Sequence, residues 1–247
     1  MAITIKSERE IELMAEAGKI LERVHNELEK ALRPGMSTKD IDTLGEEIIR
    51  SYGCTPSFLN YNGYPASICV SVNQEVVHGI PDKHRIIQEG DIVSLDAGVI
   101  YKGYHSDAAR THAVGEVSEE AKKLIQVTKE SFFEGIKFAK AGNHLFDISG
   151  AIGRYAEERG YGVVRDLCGH GIGTALHEAP EIPNYEVGRK GVKLRPGMTL
   201  AIEPMINIGT HEVDWLDDDW TVVTRDGSLS AHYENTILIT EGEPRIL

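Results

Sequence analysis

The stretch from Asp91 to Thr111 reads DIVSLDAGVIYKGYHSDAART and predicts a β-hairpin. Lys102-Gly103 supplies a two-residue turn between the arms, because glycine tolerates the positive φ that such turns need. In this register Asp96 faces Ala109, and Asp107 lies diagonally across from Asp96 on the same face of the hairpin. Diagonal neighbours lie about 7–8 Å apart, so both carboxylates can reach one centre.

Two carboxylates in an apolar setting repel each other unless a positive charge lies between them. The alternative is that one or both side chains face solvent or cap a turn, which is the usual place for a single aspartate in a strand. A repeat in the second half of the sequence favours convergence, because it supplies further acids at matching positions.

The sequence repeats with an offset of 107 residues. The matching pairs are Gly35 with Gly142, Asp40 with Asp147, Ile41 with Ile148 and Gly53 with Gly160. Residues 89–96 align with residues 196–203, and both segments read a glycine, an alternating strand and an acid, so Glu203 corresponds to Asp96. This pattern predicts an internally duplicated fold. We expect residues 1–247 to form a single catalytic domain of two pseudo-symmetric halves, about 1–114 and 115–247.

A second hairpin is predicted near the end of the chain. Its arms are residues 220–224 and 229–240, and Asp226-Gly227 between them is a strong turn signal. Glu234 on the second arm then corresponds to Asp107 in the first half. Four carboxylates are therefore expected to meet: Asp96, Asp107, Glu203 and Glu234.

Helical periodicity predicts four helices that serve as scaffold. A capping box at Ser7–Glu10 opens the first helix, Ser37 or Thr38 caps the second, and Ser118 opens the third. The fourth runs from about Asp147 to Arg159.

The segment Cys168–His177, CGHGIGTALH, follows a strand predicted over Val163–Leu167 and places His170 between glycines. These glycines match a dinucleotide-binding fingerprint only superficially, since the spacing is G-x-G-x-G and no acidic residue closes a βαβ unit. Four carboxylates and one imidazole form an oxygen-rich ligand set that suits Mn, Fe, Co or Zn. Two divalent cations would balance the four negative charges, and paired metal ions are a known arrangement for hydrolysis.

The composition excludes several classes of protein. The chain has 247 residues, of which 41% are hydrophobic and 26% charged, which is enough for a buried core in one large domain or two fused halves. No apolar run approaches a membrane span, and the N-terminal segment lacks the apolar core of a signal peptide. Three widely spaced cysteines favour a reduced cytoplasm. The net charge of −13 argues against sequence-independent nucleic-acid binding.

Taken together, the motifs resemble those of the type I methionine aminopeptidases. That family has a duplicated pita-bread fold, an α+β fold with a curved, mostly antiparallel sheet covered by helices. The resemblance covers essentially the whole chain. The motifs that carry it are VHGIP at 77–81, Leu95-Asp96 with Asp107, GHGIG at 169–173, AIEP at 201–204 and Tyr233-Glu234.

The resemblance implies a role for each candidate residue. The implied ligands of two divalent metal ions are Asp96, Asp107, His170, Glu203 and Glu234. His78 and His177 would act on the substrate, and Glu203 would also handle the proton of the attacking water. The implied methionine pocket consists of Tyr61, Tyr64, Cys69 and Trp220, with Phe58 and Leu176 nearby. Asn73 and Ser230 would lie near a monovalent cation.

The implied activity is removal of the N-terminal methionine from newly made proteins whose second residue is small. The resemblance also implies a cytoplasmic monomer that acts on N-terminal Met peptides, with no membrane or nucleic-acid partner; transient ribosome contact is left open. Leu176 and Asn235 depart from the family, in which an aromatic residue and a histidine are common at these positions. These departures bear on fine specificity rather than on the reaction.

Three other functions fit part of the pattern. An X-Pro aminopeptidase or prolidase shares the metal residues, but the sequence begins directly at the catalytic region, without the long N-terminal domain of those enzymes. A non-catalytic, peptide-binding member of the fold would have lost ligands, whereas all five are present here. A nucleotide-binding oxidoreductase rests on the glycine pattern alone.

Overall fold

The structure is a computed structural model that describes residues 2–247. Within this range the chain forms four α-helices and fifteen strands. The helices are α1 (Glu8–Ala31), α2 (Thr38–Ser51), α3 (Glu119–Ile136) and α4 (Leu145–Glu157). The strands of the first half are β1 (Thr55–Pro56), β2 (Ile68–Val72), β3 (Glu75–Val77), β4 (Ile92–Tyr101) and β5 (Tyr104–Ala113). The later strands are β6 (Gly162–Val163), β7 (Gly169–Gly171), β8 (Glu178–Ile182), β9 (Thr199–Ile202), β10 (Met205–Asn207), β11 (Val213–Trp215), β12 (Val222–Thr224), β13 (Ser230–His232), β14 (Asn235–Leu238) and β15 (Arg245–Ile246).

The first three helices begin at the caps that the sequence predicts. Ser7 caps α1 by accepting a hydrogen bond from the Glu10 amide, and the Glu10 carboxylate accepts one from the Ser7 amide, which completes a capping box. Ser37 caps α2 in the same way, and the Ser118 side chain caps α3. The fourth helix begins at Leu145, slightly earlier than predicted.

The predicted hairpin and its register are confirmed. β4 and β5 pair Asp96 with Ala109 and Gly98 with Asp107, so Asp107 is the diagonal neighbour of Asp96. Both residues of the Lys102-Gly103 turn have positive φ, at 48° and 87°. Tight two-residue turns of this kind match the twist of the strands that they join.

Every strand pairing in residues 2–247 is antiparallel. The strands form four sheets, with the orders β1-β4-β2 (to which β5 is added beside β4), β13-β10-β6, β11-β12-β3 and β15-β14-β9-β7-β8. The mostly antiparallel sheet expected from the sequence is therefore divided into four parts. The expected α+β class is confirmed.

The second predicted hairpin is wrong. A turn does form at Asp226-Gly227, where the Gly227 amide donates to the Thr224 carbonyl, but the two arms do not pair. β12 pairs with β11 and β3, whereas β13 pairs with β10 and β14 with β9. The apolar side chains of β3, β11 and β12 pack in one buried cluster, which holds β12 away from the second arm: Val76, Val77, Val213 and Val222. The arm that carries Glu234 pairs instead with the segment 199–207, which carries Glu203.

The strand predicted over Val163–Leu167 is shorter than expected. Only Gly162–Val163 forms a strand, and it pairs with β10. The chain leaves the sheet at Arg165 and Asp166, which are exposed. Charged side chains with no buried partner favour solvent over a sheet interior, which ends the strand early.

Hydrogen bonds connect β5 to the strands of the second half. The Asp107 amide donates to Thr236 Oγ1 at 3.0 Å. The Glu234 amide donates to the Ala109 carbonyl at 3.0 Å, and the Ala109 amide donates back to the Glu234 carbonyl at 3.3 Å. The carboxylate-bearing strands of the two halves are therefore direct neighbours.

The helices cover the sheets from outside. α1 and α2 bury Leu21 and Ile41 in a cluster with Leu95 of β4, and α3 buries Phe132 in a cluster with Leu200 of β9. Burial of each such side chain contributes roughly 1.5–3 kcal/mol, so these layers hold the strands in place. Within residues 2–247, no helix is long and apolar enough to cross a membrane.

His25 joins α1 to β5. Its side chain is 5% exposed, and Nε2 donates to the Ala108 carbonyl at 2.8 Å, so the proton of the neutral ring lies on Nε2. Burial, together with the positive charge of Arg110, lowers the pKa of His25 to about 3.

Replacing His25 should make stability less dependent on pH. Because the folded-state pKa is depressed, stability contributed by the neutral ring is present above the ordinary pKa of 6.5 and is lost as the pH falls towards 3. Through this residue the parent protein should lose up to about 1.4 kcal/mol of unfolding free energy per pH unit. His25→Gln keeps an amide donor for Ala108 and does not titrate. Urea unfolding of both proteins at about pH 7 and about pH 5 checks this, and equal losses would contradict it.

Candidate functional site

Two interrupted strands bring the acids of the second half to one point. Glu203 follows β9 directly, and Pro204 has no amide to donate, so the strand is broken before it resumes as β10. Tyr233-Glu234 separates β13 from β14 opposite this break, and the Tyr233 amide donates to the Pro204 carbonyl at 3.2 Å. Glu203 and Glu234 therefore leave the sheet at neighbouring positions.

His170 lies among these carboxylates. Ligand atoms of Asp107, His170 and Glu234 all lie within 4.8 Å of one another, and this is the only such group of three or more in residues 2–247. His170 Nε2 is also 3.6 Å from Glu203 Oε1 and 3.9 Å from Asp107 Oδ2. Asp96 lines the same cavity.

The ring of His170 directs a lone pair at the acids. Nδ1 lies 2.9 Å from the Gly171 carbonyl, which can only accept, so Nδ1 carries the proton. Burial, and then the neighbouring His177, lower the pKa of His170 to about 3, so the ring is neutral and forms no ion pair with the carboxylates. Its unprotonated Nε2 therefore faces oxygen atoms that also carry lone pairs, an arrangement that a cation would stabilise.

Three of the four carboxylates each have a buried oxygen atom to which nothing in residues 2–247 donates a hydrogen bond. Among the residues described, Asp96 Oδ1, Asp107 Oδ1 and Glu234 Oε1 are buried without a hydrogen-bond partner. Burial raises the pKa of Asp96 to about 7, and burial followed by the charge of the neighbouring acids raises the pKa of Asp107, Glu203 and Glu234. Buried polar atoms are normally satisfied. A neutral imidazole and unpaired carboxylates at this spacing fit divalent metal ions.

The glycines around His170 have a packing role. A Cβ on Gly169 would lie 2.4 Å from the Ala201 carbonyl oxygen, and one on Gly171 would lie 2.1 Å from the Ala179 carbonyl oxygen. The glycines therefore allow β7 to fit closely between β8 and β9. This arrangement removes the basis for a nucleotide-binding function, because the close contacts of these glycines are with neighbouring strands.

The predicted metal ligands, the two substrate histidines and the predicted methionine-pocket residues all line one cavity of about 190 Å³, whereas Asn73 and Ser230 lie outside it. The lining residues are Phe58, Tyr61, Asn62, Tyr64, Cys69, His78, Asp96, Asp107, His170, Leu176, His177, Glu203, Trp220 and Glu234. The apolar residues form one wall. Tyr64 packs edge-on against Trp220 with ring centroids 5.1 Å apart, and its hydroxyl donates to the Gly79 carbonyl at 2.9 Å. The hydrogen-bonded hydroxyl fixes the tyrosine ring, which gives the wall a defined shape.

His78 and His177 both line the cavity but lie in different environments. His78 has a φ of 59°, which few residues other than glycine adopt, and burial lowers its pKa to about 4. His177 is exposed, and its Nδ1 lies 2.7 Å from the Tyr61 hydroxyl. Its ring is close to that of His170, with centroids 4.1 Å apart.

Sequence reasoning missed three residues at the site. Asn62 lines the cavity, and His232 Nε2 lies 3.8 Å from Glu203 Oε2 with neither ring nitrogen hydrogen-bonded. Arg110 donates to the carbonyl of Glu234 and to the side chain of Asn235. The alternation of the hairpin places Arg110 on the face opposite Asp107 and could have indicated this support. The alternation of the second arm likewise puts His232 on the face of Glu234, whereas no local pattern marks Asn62.

The structure brings Asn73 and Ser230 together. The Ser230 amide donates to the Asn73 carbonyl at 2.9 Å. The Asn73 side chain is engaged by Asp91 and by the Ile92 amide. A monovalent cation near these residues stays a prediction.

Removal of one carboxylate should raise the Tm of the metal-free protein and weaken the stabilisation by added metal ion. Because the folded-state pKa of Asp107 is raised, its ionisation destabilises the metal-free protein as the pH rises through that value. Asp107→Asn should therefore raise the Tm of the metal-free protein near neutral pH. The same change should remove most of the stabilisation by Mn²⁺ or Co²⁺. For the parent protein we expect that stabilisation to be about 5–10 °C at a concentration 100-fold above Kd.

Thermal unfolding with EDTA and with added metal ion measures both effects. Asp214→Asn, at an exposed position on β11, is the control and should keep the metal-induced shift. A full metal-induced shift in Asp107→Asn would contradict a role for this residue in metal binding.

Comparison with known proteins agrees with this site. A model of metallopeptidase family M24 matches residues 12–241. A methionine aminopeptidase of Clostridium acetobutylicum is 58% identical over 245 residues, which cover 99% of this chain and 98% of that protein. The crystal structure of a methionine aminopeptidase from Thermotoga maritima matches with a TM-score of 0.97 at 48% identity, covering 99% of this chain and 98% of that chain.

A prolidase-type structure matches less well. The Xaa-Pro dipeptidase of Bacillus anthracis has a TM-score of 0.79 at 29% identity, and the match covers 98% of this chain but 61% of that chain. These neighbours confirm the expected pita-bread fold. The chain belongs to metallopeptidase family M24, within its methionine aminopeptidase branch.

Proposed function

We propose that this chain is a metal-dependent aminopeptidase that removes the N-terminal methionine from newly made proteins whose second residue is small. One observation carries the proposal: a cluster of carboxylates with unpaired oxygen atoms and a neutral imidazole lines the same small cavity as a wall of aromatic side chains. The relationship to methionine aminopeptidases over nearly the whole chain supports it.

Five residues would hold two divalent metal ions: Asp96, Asp107, His170, Glu203 and Glu234. The oxygen-rich donor set suits Mn, Fe, Co or Zn. When bound, such ions activate water and polarise the carbonyl of the bond to be cut. The free N-terminal amine of a substrate would bind to one of the ions, which would restrict cleavage to the first peptide bond.

Three residues would move protons or stabilise charge during hydrolysis. The Glu203 carboxylate, whose pKa is raised by burial, would take a proton from the attacking water and deliver it to the leaving nitrogen as the peptide bond breaks. His177 and His78 would donate a hydrogen bond to the substrate carbonyl or accept one from the peptide N–H, and so stabilise developing charge. Both histidines line the cavity beside the carboxylates.

The apolar wall would select the first side chain. Phe58, Tyr64, Cys69, Leu176 and Trp220 belong to one cluster beside the cavity. An unbranched thioether fills such a space well, because methionine is flexible and its sulfur makes favourable contacts with aromatic rings. The second residue of the substrate would then lie next to the metal ligands, where Gly, Ala or Ser fits best.

Other expectations accompany this function. We propose one catalytic domain of two pseudo-symmetric halves, about 1–114 and 115–247, because each half supplies two carboxylates from a pair of strands. A cytoplasmic monomer that meets substrates as they leave the ribosome would suit an enzyme acting on newly made proteins. Location, oligomeric state and ribosome contact stay predictions.

Three peptides test the proposal. The protein is stripped of metal, reloaded with Mn²⁺ or Co²⁺, and offered Met-Ala-Ser, Met-Leu-Ser and Ala-Pro-Ser. We expect free methionine from the first peptide alone. Cleavage of Ala-Pro-Ser instead would identify an X-Pro aminopeptidase, and no cleavage with metal demonstrably bound would identify a peptide-binding protein.

Replacement of His177 should affect turnover rather than metal binding. His177→Ala removes a hydrogen-bond donor to the reacting groups, so kcat should fall by about 10²–10³-fold, by analogy with the loss of one oxyanion donor. The metal-induced rise in Tm should be unchanged. His84→Ala is the control, because His84 is an exposed histidine that does not line the cavity. Loss of bound metal in His177→Ala would overturn the assigned role.

A further inference from the structure

The candidate catalytic residue His177 stands on a short, partly exposed loop, in which Leu176 packs into the apolar wall of the cavity. The loop is the segment Gly173–His177, which connects β7 to β8 and includes exposed residues at Thr174 and Ala175. The His177 side chain is exposed, and its one hydrogen bond is to the Tyr61 hydroxyl. An exposed side chain keeps a fixed position only if its backbone is held from elsewhere.

The next residue in the chain, Glu178, supplies such an anchor. Lys6 Nζ donates to Glu178 Oε2 at 2.5 Å, and Thr4 Oγ1 donates to the same oxygen at 2.6 Å. The other carboxylate oxygen, Oε1, accepts from the Ala175 amide at 3.4 Å. One carboxylate thus connects the N-terminal segment to the middle of the loop and to the residue that follows its end.

The Lys6–Glu178 pair is enclosed. Lys6 is 7% exposed, and Gly173 packs directly on the pair, since a Cβ there would lie 2.5 Å from both Glu178 Oε1 and Lys6 Cε. Burial acts to raise the pKa of Glu178, but hydrogen bonds from Lys6 and Thr4 outweigh it, so the pKa is lowered and the carboxylate is ionised. Exposed ion pairs contribute little, whereas an enclosed, multiply bonded pair fixes the geometry of its partners.

The N-terminal segment is itself fixed to the second half. The Lys6 amide donates to the Gly197 carbonyl at 2.8 Å, and Ile3 packs against the core cluster of α3, α4 and β9. Ser7, the next residue, caps α1. Lys6 therefore approaches the loop from a rigid support.

We infer that Lys6 and Glu178 are positioning residues that hold the Gly173–His177 loop, and with it His177, at the mouth of the cavity. This inference rests on the proposed function for its catalytic consequence. Neither side chain lines the cavity, so the pair has no direct contact with a substrate bound there. A displacement of about 1 Å in a group that contacts the reacting atoms can lower a rate by about 10²-fold.

Three variants separate positioning from stability. Lys6→Met leaves Glu178 as an unpaired enclosed charge and should lower both the Tm and kcat. The double variant Lys6→Met/Glu178→Met removes both charges, so the Tm should recover while kcat stays about 10–100-fold low. Lys6→Arg keeps the charge and should restore most of kcat. The KM for Met-Ala-Ser should change much less than kcat in each variant, because Leu176 is the only residue of the methionine pocket that lies on this loop.

Hydrogen exchange gives a readout that does not depend on activity. The Ala175 amide should exchange faster in Lys6→Met and in the double variant, while the metal-induced rise in Tm is kept. Lys19→Met is the matched control, because it breaks an exposed ion pair with Glu16 on α1 and should change neither kcat nor exchange in the loop.

Two results would overturn the inference. One is a kcat in the double variant equal to that of the parent protein. The other is an unchanged rate of exchange at Ala175. If the parent protein fails to cleave Met-Ala-Ser, the proposed function is wrong, but faster loop exchange in Lys6→Met would still establish the anchor.

Discussion

Mutual repulsion among four carboxylates is the constraint on which this structure depends. They share one cavity, three of their oxygen atoms are buried without a hydrogen-bond partner, and the imidazoles of His170 and His232 beside them are neutral. Each charge is disfavoured by loss of solvent and by its neighbours. The fold must therefore supply rigidity around a site that opposes folding, and two layers of helices packed on short antiparallel strands provide it.

The way in which the strands present these acids follows from that constraint. Asp96 and Asp107 project from a continuous hairpin, whereas Glu203 and Glu234 occupy breaks between strand segments. A break frees the side chain from the alternation of a strand and lets it turn towards the cavity. Pro204 makes one break permanent, and Arg110 braces the other through the carbonyl of Glu234. The acids are thus held mainly through backbone contacts, which leaves their oxygens free for a cation.

The strand pairing that presents Asp96 and Asp107 could be predicted from the sequence, whereas the pairing around Glu203 and Glu234 could not. The register of the β4–β5 hairpin follows from a two-residue turn and an alternating pattern, both of which are local. Asp226-Gly227 is an equally strong turn signal, but a cluster of buried valines from distant strands decides which strands pair there. The offset repeat identifies Glu203 as the counterpart of Asp96. Glu234 was also predicted correctly as a member of the cluster, although the hairpin from which it was predicted does not form. The repeat does not mark His232 or Lys6. Their contacts are nonlocal, because His232 approaches Glu203 from 29 residues away in the chain and Lys6 pairs with Glu178 from 172 residues away.

The number of residues between paired acids also determines the order in which the carboxylate cluster can assemble during folding. The β4–β5 hairpin closes over two residues, so Asp96 and Asp107 can meet early and at little entropic cost. Glu203 and Glu234 are separated by the whole excursion through β11 and β12, and β14 must also dock against β5. Such nonlocal contacts form late. A chain that has folded only its first half presents two ligands, too few to retain a metal ion. Metal occupancy would therefore report that both halves have come together, and a loaded centre would slow their separation.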